Sequence, residues 1–140
     1  MEETSRMNLD SNIFKLEFEV RDYECDIEGI VNNAVYMQYL EHARHIYLKQ
    51  KGFDFATLTK SGINLVVIRS EVDYLYPLRS GDEFYVSASL ERISKLRFGF
   101  SQEIFRLPDN KPILKAKIFG TSLNTAGAPK YFKELEGLFS

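Results

Sequence analysis

One helix-forming stretch stands alone in a chain otherwise patterned for strands, and that combination limits the fold more than any other feature. Tyr36, Tyr39, Leu40, Ala43, Ile46 and Tyr47 recur at three- and four-residue steps, the spacing that lines apolar side chains along one helical face. A helix is expected from about Ala34 to Lys51. Lys49 and Lys51 suit the negative end of its dipole, and Gly52 supplies a left-handed stop. A shorter helix is expected between Phe53 and Lys60, closed by Gly62.

Around these helices the period changes to two. Phe14, Leu16, Phe18 and Val20 alternate with Lys15, Glu17, Glu19 and Arg21, the pattern of a strand with one buried face. After the helices, Asn64 to Ile68 is nearly all aliphatic, and Glu71 to Tyr76 alternates through Val72, Tyr74 and Tyr76. Pro77 and Gly81-Asp82 mark a turn, then Phe84, Val86, Ala88 and Leu90 share a face. Leu96, Phe98, Phe100, Gln102 and Ile104 follow, then a hairpin connection at Pro108-Asp109-Asn110 and a partner strand from Ile113 to Leu123. The last three strands are expected to form an antiparallel meander. The tail is expected to close with a short amphipathic helix using Tyr131, Leu135 and Leu138, with Pro129 near its first turn.

A lone long helix cannot cover its own apolar stripe, and a sheet of this size needs something against its inner face. A curved antiparallel sheet wrapped around the helix satisfies both, so the fold class expected is α+β. The 140 residues suit a single domain, 1–140, with a substantial core.

Charge and cysteine usage narrow the partners. With 18 basic and 20 acidic side chains, no broad positive surface is available for a nucleic-acid backbone, and nucleic acid is not expected as a partner. A local cluster of Lys and Arg still suits a phosphorylated small molecule. Cys25 has no second cysteine to pair with, which fits a reducing compartment. Met1 to Asp10 is polar, and no apolar run approaches the ~20 residues a bilayer demands. The expectation is a soluble, cytoplasmic protein with no membrane partner.

The chemistry is concentrated in the loop from Asp22 to Asn33. It carries Asp22, Glu24, Asp26 and Glu28, then runs directly into the helix, whose first amides have no intrahelical acceptors. A carboxylate beside free amide donors is what hydrolysis of an activated carbonyl requires: a base or nucleophile, and donors for the charge that develops on oxygen.

The run from Val20 to Tyr36, VRDYECDIEGIVNNAVY, and Tyr39 to Arg44, YLEHAR, resemble the 4-hydroxybenzoyl-CoA thioesterase branch of the hotdog superfamily. So do the turn YPLRSGD from Tyr76 to Asp82 and the segment SKLRF from Ser94 to Phe98. The resemblance extends from about Phe14 to Leu123 and implies a hotdog-fold acyl-CoA thioesterase. It puts the catalytic aspartate on Asp26, with Gly29 as the glycine of the D-x-x-G step, and the carbonyl-binding amide on Asn33. Tyr36 matches the tyrosine that ends the motif. Basic residues around the strand hairpin, here Arg92, Lys95 and Arg97, are expected at the CoA phosphates, and Tyr36, Tyr39 and Phe98 beside the acyl group. Asp26 either activates water or attacks the thioester carbon; the sequence leaves both routes open. No metal or redox cofactor is implied. A homodimer or homotetramer is, with the active site at the interface.

Where the family often has a histidine pair and an asparagine, this chain has Asn32, Asn33 and Val35. That departure is shared with relatives that act on acyl carrier proteins, so an acyl-carrier-protein thioesterase is the alternative within enzymes, and a non-catalytic acyl-thioester binder the alternative outside them. Hotdog dehydratases need a histidine in the loop, which this one lacks. Asp26 by itself reads as a turn residue, Asn32 and Asn33 as helix caps, and Glu24 and Glu28 as solvated charges. His42 and His45 are too few ligands for a metal, and Cys25 has no histidine base beside it.

Overall fold

The computed structural model describes residues 13–139. Strand β1 (Phe14–Glu19) leads through a single 3-10 turn at Asp22–Glu24 into helix α1 (Asn33–Gln50) and the short α2 (Phe55–Lys60). Strands β2 (Asn64–Tyr74), β3 (Glu83–Arg92), β4 (Arg97–Leu107) and β5 (Lys111–Leu123) follow, and a 3-10 stretch covers Lys133–Phe139. The strands form one sheet in the order β1-β3-β4-β5-β2, with every neighbouring pair antiparallel. The expected meander is β3-β4-β5. No helix among the described residues is long and apolar enough to cross a membrane.

The long helix starts at Asn33, one residue before the expected Ala34, because Asn32 rather than Asn33 is the cap. Its side chain accepts from the Ala34 amide at 3.1 Å. Gly52 takes φ +89° just past the far end. The stripe lies on the sheet's concave face: Tyr36, Tyr39, Leu40, Ala43, Tyr47 and Leu48 are buried against Phe14, Phe84, Val86, Phe100, Ile104 and Ile118. Tyr39 packs on Phe84 with ring centres 4.7 Å apart, and Tyr47 meets Phe100 edge-on at 5.8 Å. Leu40, Leu48, Phe84 and Ile104 are fully enclosed, each contributing about 1.5–3 kcal/mol by leaving water. The sheet wraps the helix as the pattern required.

Several boundaries differ from expectation. Asn64–Ile68 and Glu71–Tyr76 are not two strands but one, β2, which ends at Tyr74 and pairs with β5 across a bulge between Val67 and Arg69. The extra residue of a bulge shifts the alternation, so one strand reads as two patterns. Strand β5 begins at Lys111 rather than Ile113, and Leu96 lies in the β3–β4 turn. The tail forms 3-10 turns, and Pro129 is held in a bridge to Leu123 instead of opening a helix.

Candidate active site

The Asp22–Asn33 loop is folded back on itself and anchored at both ends. Val20 exchanges backbone hydrogen bonds with the β2–β3 turn: its amide donates to the Asp82 carbonyl at 2.9 Å and its carbonyl accepts from Gly81 at 3.0 Å. The Val31 amide donates to the Leu78 carbonyl at 2.9 Å, and Ile30 bridges Arg79. Inside the loop Cys25 bridges Val31, and the Asn32 amide donates to the Glu24 carbonyl at 3.0 Å. Asp26 and Asn33 each follow directly from one side of this small ladder. The expected carboxylate and the expected helix entrance are therefore neighbours.

At the loop's apex the Asp26 amide donates to the Ile30 carbonyl at 2.8 Å, and the Gly29 amide to the Asp26 carbonyl at 2.9 Å. Gly29 sits at φ +83°, which a side chain would strain. Asp26 Oδ1 accepts from the Glu28 amide at 2.9 Å and from the Ile30 amide at 3.4 Å. The turn-residue reading of Asp26 thus holds for one carboxylate oxygen, while Oδ2 has no hydrogen-bond donor among the described residues. Asp26, Gly29 and Asn33 are all exposed, and Ile27 between them is fully so. The Asn33 amide has no acceptor among the described residues, since the Asn32 side chain serves Ala34 and the Asn32 carbonyl serves Val35.

Tyr36 and Tyr39 hold this loop from below. The Tyr36 hydroxyl accepts from the Leu78 amide at 2.9 Å, and burial pushes its phenol pKa up. The Tyr39 hydroxyl donates to Glu24 Oε1 at 2.7 Å, and burial, with that bond to a carboxylate, raises its pKa far more. Glu24 corrects an expectation: it is not a free solvated charge but accepts from the Tyr39 hydroxyl and from the Arg21 amide at 2.9 Å. Nothing in its local sequence signals this, because the tyrosine is fifteen residues away.

The basic residues lie elsewhere. Arg92 closes β3, and the ten residues of β3 place it about 30 Å of strand from the Asp26 end. Its guanidinium is turned inward: Nη1 donates to the Ser94 and Lys95 carbonyls at 3.0 and 2.9 Å, Nη2 to Glu136 at 3.4 Å, and the group stacks 4.3 Å from the Phe139 ring centre. Arg92 therefore pins the carboxyl-terminal turns, while Lys95 and Arg97 stay exposed on the hairpin. In one chain the fold unites Asp26, Gly29, Asn33 and Tyr36 and separates them from Arg92, Lys95 and Arg97.

Beside the second half of α1 lies a cavity of about 320 Å³, which Phe98 lines but Tyr36 and Tyr39 do not. Arg44 also lines it, although it is only 8% exposed. Among the described residues no three histidine, cysteine or acidic side chains are grouped to hold a metal.

The family model described as "Thioesterase superfamily" matches residues 28–113. "Acyl-acyl carrier protein thioesterase ATL3, chloroplastic" of Arabidopsis thaliana is 43% identical over 107 residues, covering 76% of this chain and 56% of that protein. The chain thus spans little more than half the length of that relative. "Long-chain acyl-CoA thioesterase FadM" of Escherichia coli is 28% identical over 102 residues, covering 73% of this chain and 76% of that one. Among solved structures, a hypothetical protein from Aquifex aeolicus superposes with a TM-score of 0.84 at 28% identity, covering 91% of this chain and 99% of that chain.

Proposed function

Because this chain belongs to the thioesterase superfamily and has its hotdog fold, we propose that it hydrolyses an acyl-CoA thioester to the free acid and CoA, with Asp26 as general base or nucleophile. The observation that carries this reading is the pairing of an exposed carboxylate with the unclaimed Asn33 amide at the helix entrance. The carbonyl oxygen of the thioester takes the Asn33 amide, where the helix dipole adds to the donor. Asp26 Oδ2 takes a proton from water as it attacks, or itself bonds to the carbonyl carbon to give a mixed anhydride that water then cleaves, releasing the acid and restoring the carboxylate. Either way the C–S bond breaks and CoA leaves as a thiolate, which calls for no strong general acid, metal or redox cofactor. Gly29 and Tyr36 act by holding the loop, Gly29 through its backbone angle and Tyr36 through Leu78.

The distance between Asp26 and the basic hairpin supports a homodimer, or a tetramer built from it. Strand β2 is an edge, and its Asn64 end lies near the hairpin while its Tyr74 end packs on Tyr36 at 5.8 Å. Two β2 edges paired antiparallel reverse these ends, carrying Lys95 and Arg97 of the partner subunit toward Asp26. The second copy also shields Ile27 from bulk solvent.

Thiol release over a panel of acyl-CoAs tests the assignment: Asp26→Asn should lower kcat by about 10²-fold or more, and turnover equal to the parent would remove Asp26 from the mechanism. A second reading, hydrolysis of acyl groups from a carrier protein, is favoured by the 43% identity to a relative of that name. Comparing kcat/KM for one acyl group on CoA and on carrier protein separates the two. The lone Cys25 suits the cytoplasm.

A further inference from the structure

The cavity beside α1 has a chemistry that thioester hydrolysis at Asp26 does not account for. Its walls are mostly apolar, with Leu48, Phe55, Leu65, Leu90, Leu135 and Leu138 among them. At about 30 Å³ for a water-sized group, a volume of about 320 Å³ takes a chain of roughly ten methylene-sized units. The exposed liners Glu41, Lys95 and Leu96 mark where it opens away from the β2 edge.

Into this apolar wall is set an arginine. Arg44 Nη1 donates to Gln102 Oε1 at 3.0 Å, and Gln102 in turn donates to the Leu40 carbonyl at 3.1 Å, so its partner is neutral and already used. No carboxylate pairs with Arg44 among the described residues, and its Nε and Nη2 have no acceptor there. Glu41 is one helical turn away but exposed, and it faces His45 at 3.8 Å. Burial accordingly pulls the Arg44 pKa down. Arg92 Nε, fully enclosed in the same wall, has no acceptor among the described residues. A buried guanidinium held by Gln102 and the Phe100 ring, 5.9 Å away, with only the exposed Glu41 acting on it at a distance, is costly and is ordinarily matched by an anion.

We propose that this cavity binds a single-chain carboxylate of about ten carbons, its tail among the leucines and its carboxylate on Arg44. The site stands on its own geometry, whether or not Asp26 is the hydrolytic group, and its ligand belongs to the chemical class of free acid that hydrolysis would release.

Titration calorimetry of the full chain with decanoate and with decanol, both below micelle formation, tests it. The wild type should bind decanoate at least tenfold tighter than decanol, the difference expected of a charge-assisted hydrogen bond. Arg44→Met should abolish that preference and Arg44→Lys should keep most of it. Leu90→Trp, which fills the cavity from its half-buried rim, should remove binding of both ligands; it decides the matter if Arg44→Met does not fold. Asp26→Asn should bind decanoate as the wild type does, so a failed hydrolase reading leaves this result unchanged. Equal affinity for the two ligands, or decanoate binding that survives Leu90→Trp, would overturn the proposal.

Discussion

At the residue scale, the same side chains that read as chemistry also hold up the site. Asp26 is a turn residue through Oδ1 and a candidate base through Oδ2. Tyr36 is 3% exposed and its hydroxyl is taken by the Leu78 amide. Leu78 is itself wholly buried, so Tyr36→Phe leaves that amide without an acceptor. The expected cost is about 1–3 kcal/mol of stability, read as a lowered urea midpoint. If Tyr36 acts only by holding the loop, KM for the best acyl-CoA should change far less than stability does. The Glu24 link to Tyr39 was invisible in the local pattern because it depends on which helix face turns toward the loop.

At the element scale, α1 was legible almost to the residue, since its stripe, its cap and Gly52 all agree. Strand β2 was not, because the bulge at Val67 breaks the period on which strand reading rests. Beside that bulge Gly120 of β5 has no room for a side chain. A Cβ there would lie 2.5 Å from Phe98 Cε1 and 2.8 Å from the Val66 carbonyl oxygen. The ring could turn aside, but the backbone oxygen belongs to the β2–β5 ladder. Gly120→Ala should therefore destabilise the fold by about 1–3 kcal/mol, measured by thermal or urea unfolding. Gly29→Ala, by contrast, meets open space and is opposed by its φ of +83° alone.

At the scale of the whole molecule, the decisive fact is the length of β3, which holds Asp26 and the basic hairpin at opposite ends of the sheet. A single chain then has the proposed base without the proposed phosphate-binding charges beside it, and pairing of two β2 edges is the proposed means of bringing them together. Val67 and Ile68 on that edge are 50% and 43% exposed, and no strand among the described residues pairs with its outer side, an apolar margin of the kind that pairs with another strand. Light scattering coupled to size exclusion should give at least twice the chain mass for the wild type. Ile68→Lys should shift it toward the monomer and lower thiol release in parallel. A monomeric wild type with full activity would exclude a site shared between copies.

The long helix with its buried stripe, the β3-β4-β5 meander and the loop that carries Asp26 were determined by the sequence alone, because each depends on periodicity or on neighbours close along the chain. Tertiary structure alone decided the rest. It turned Arg92 inward to Glu136 and Phe139, tied Glu24 to Tyr39, and enclosed Arg44 beside a cavity whose walls come from α1, β2, β3 and the last turns. These contacts join residues far apart in the chain, and side-chain pairings of that kind leave no period to read.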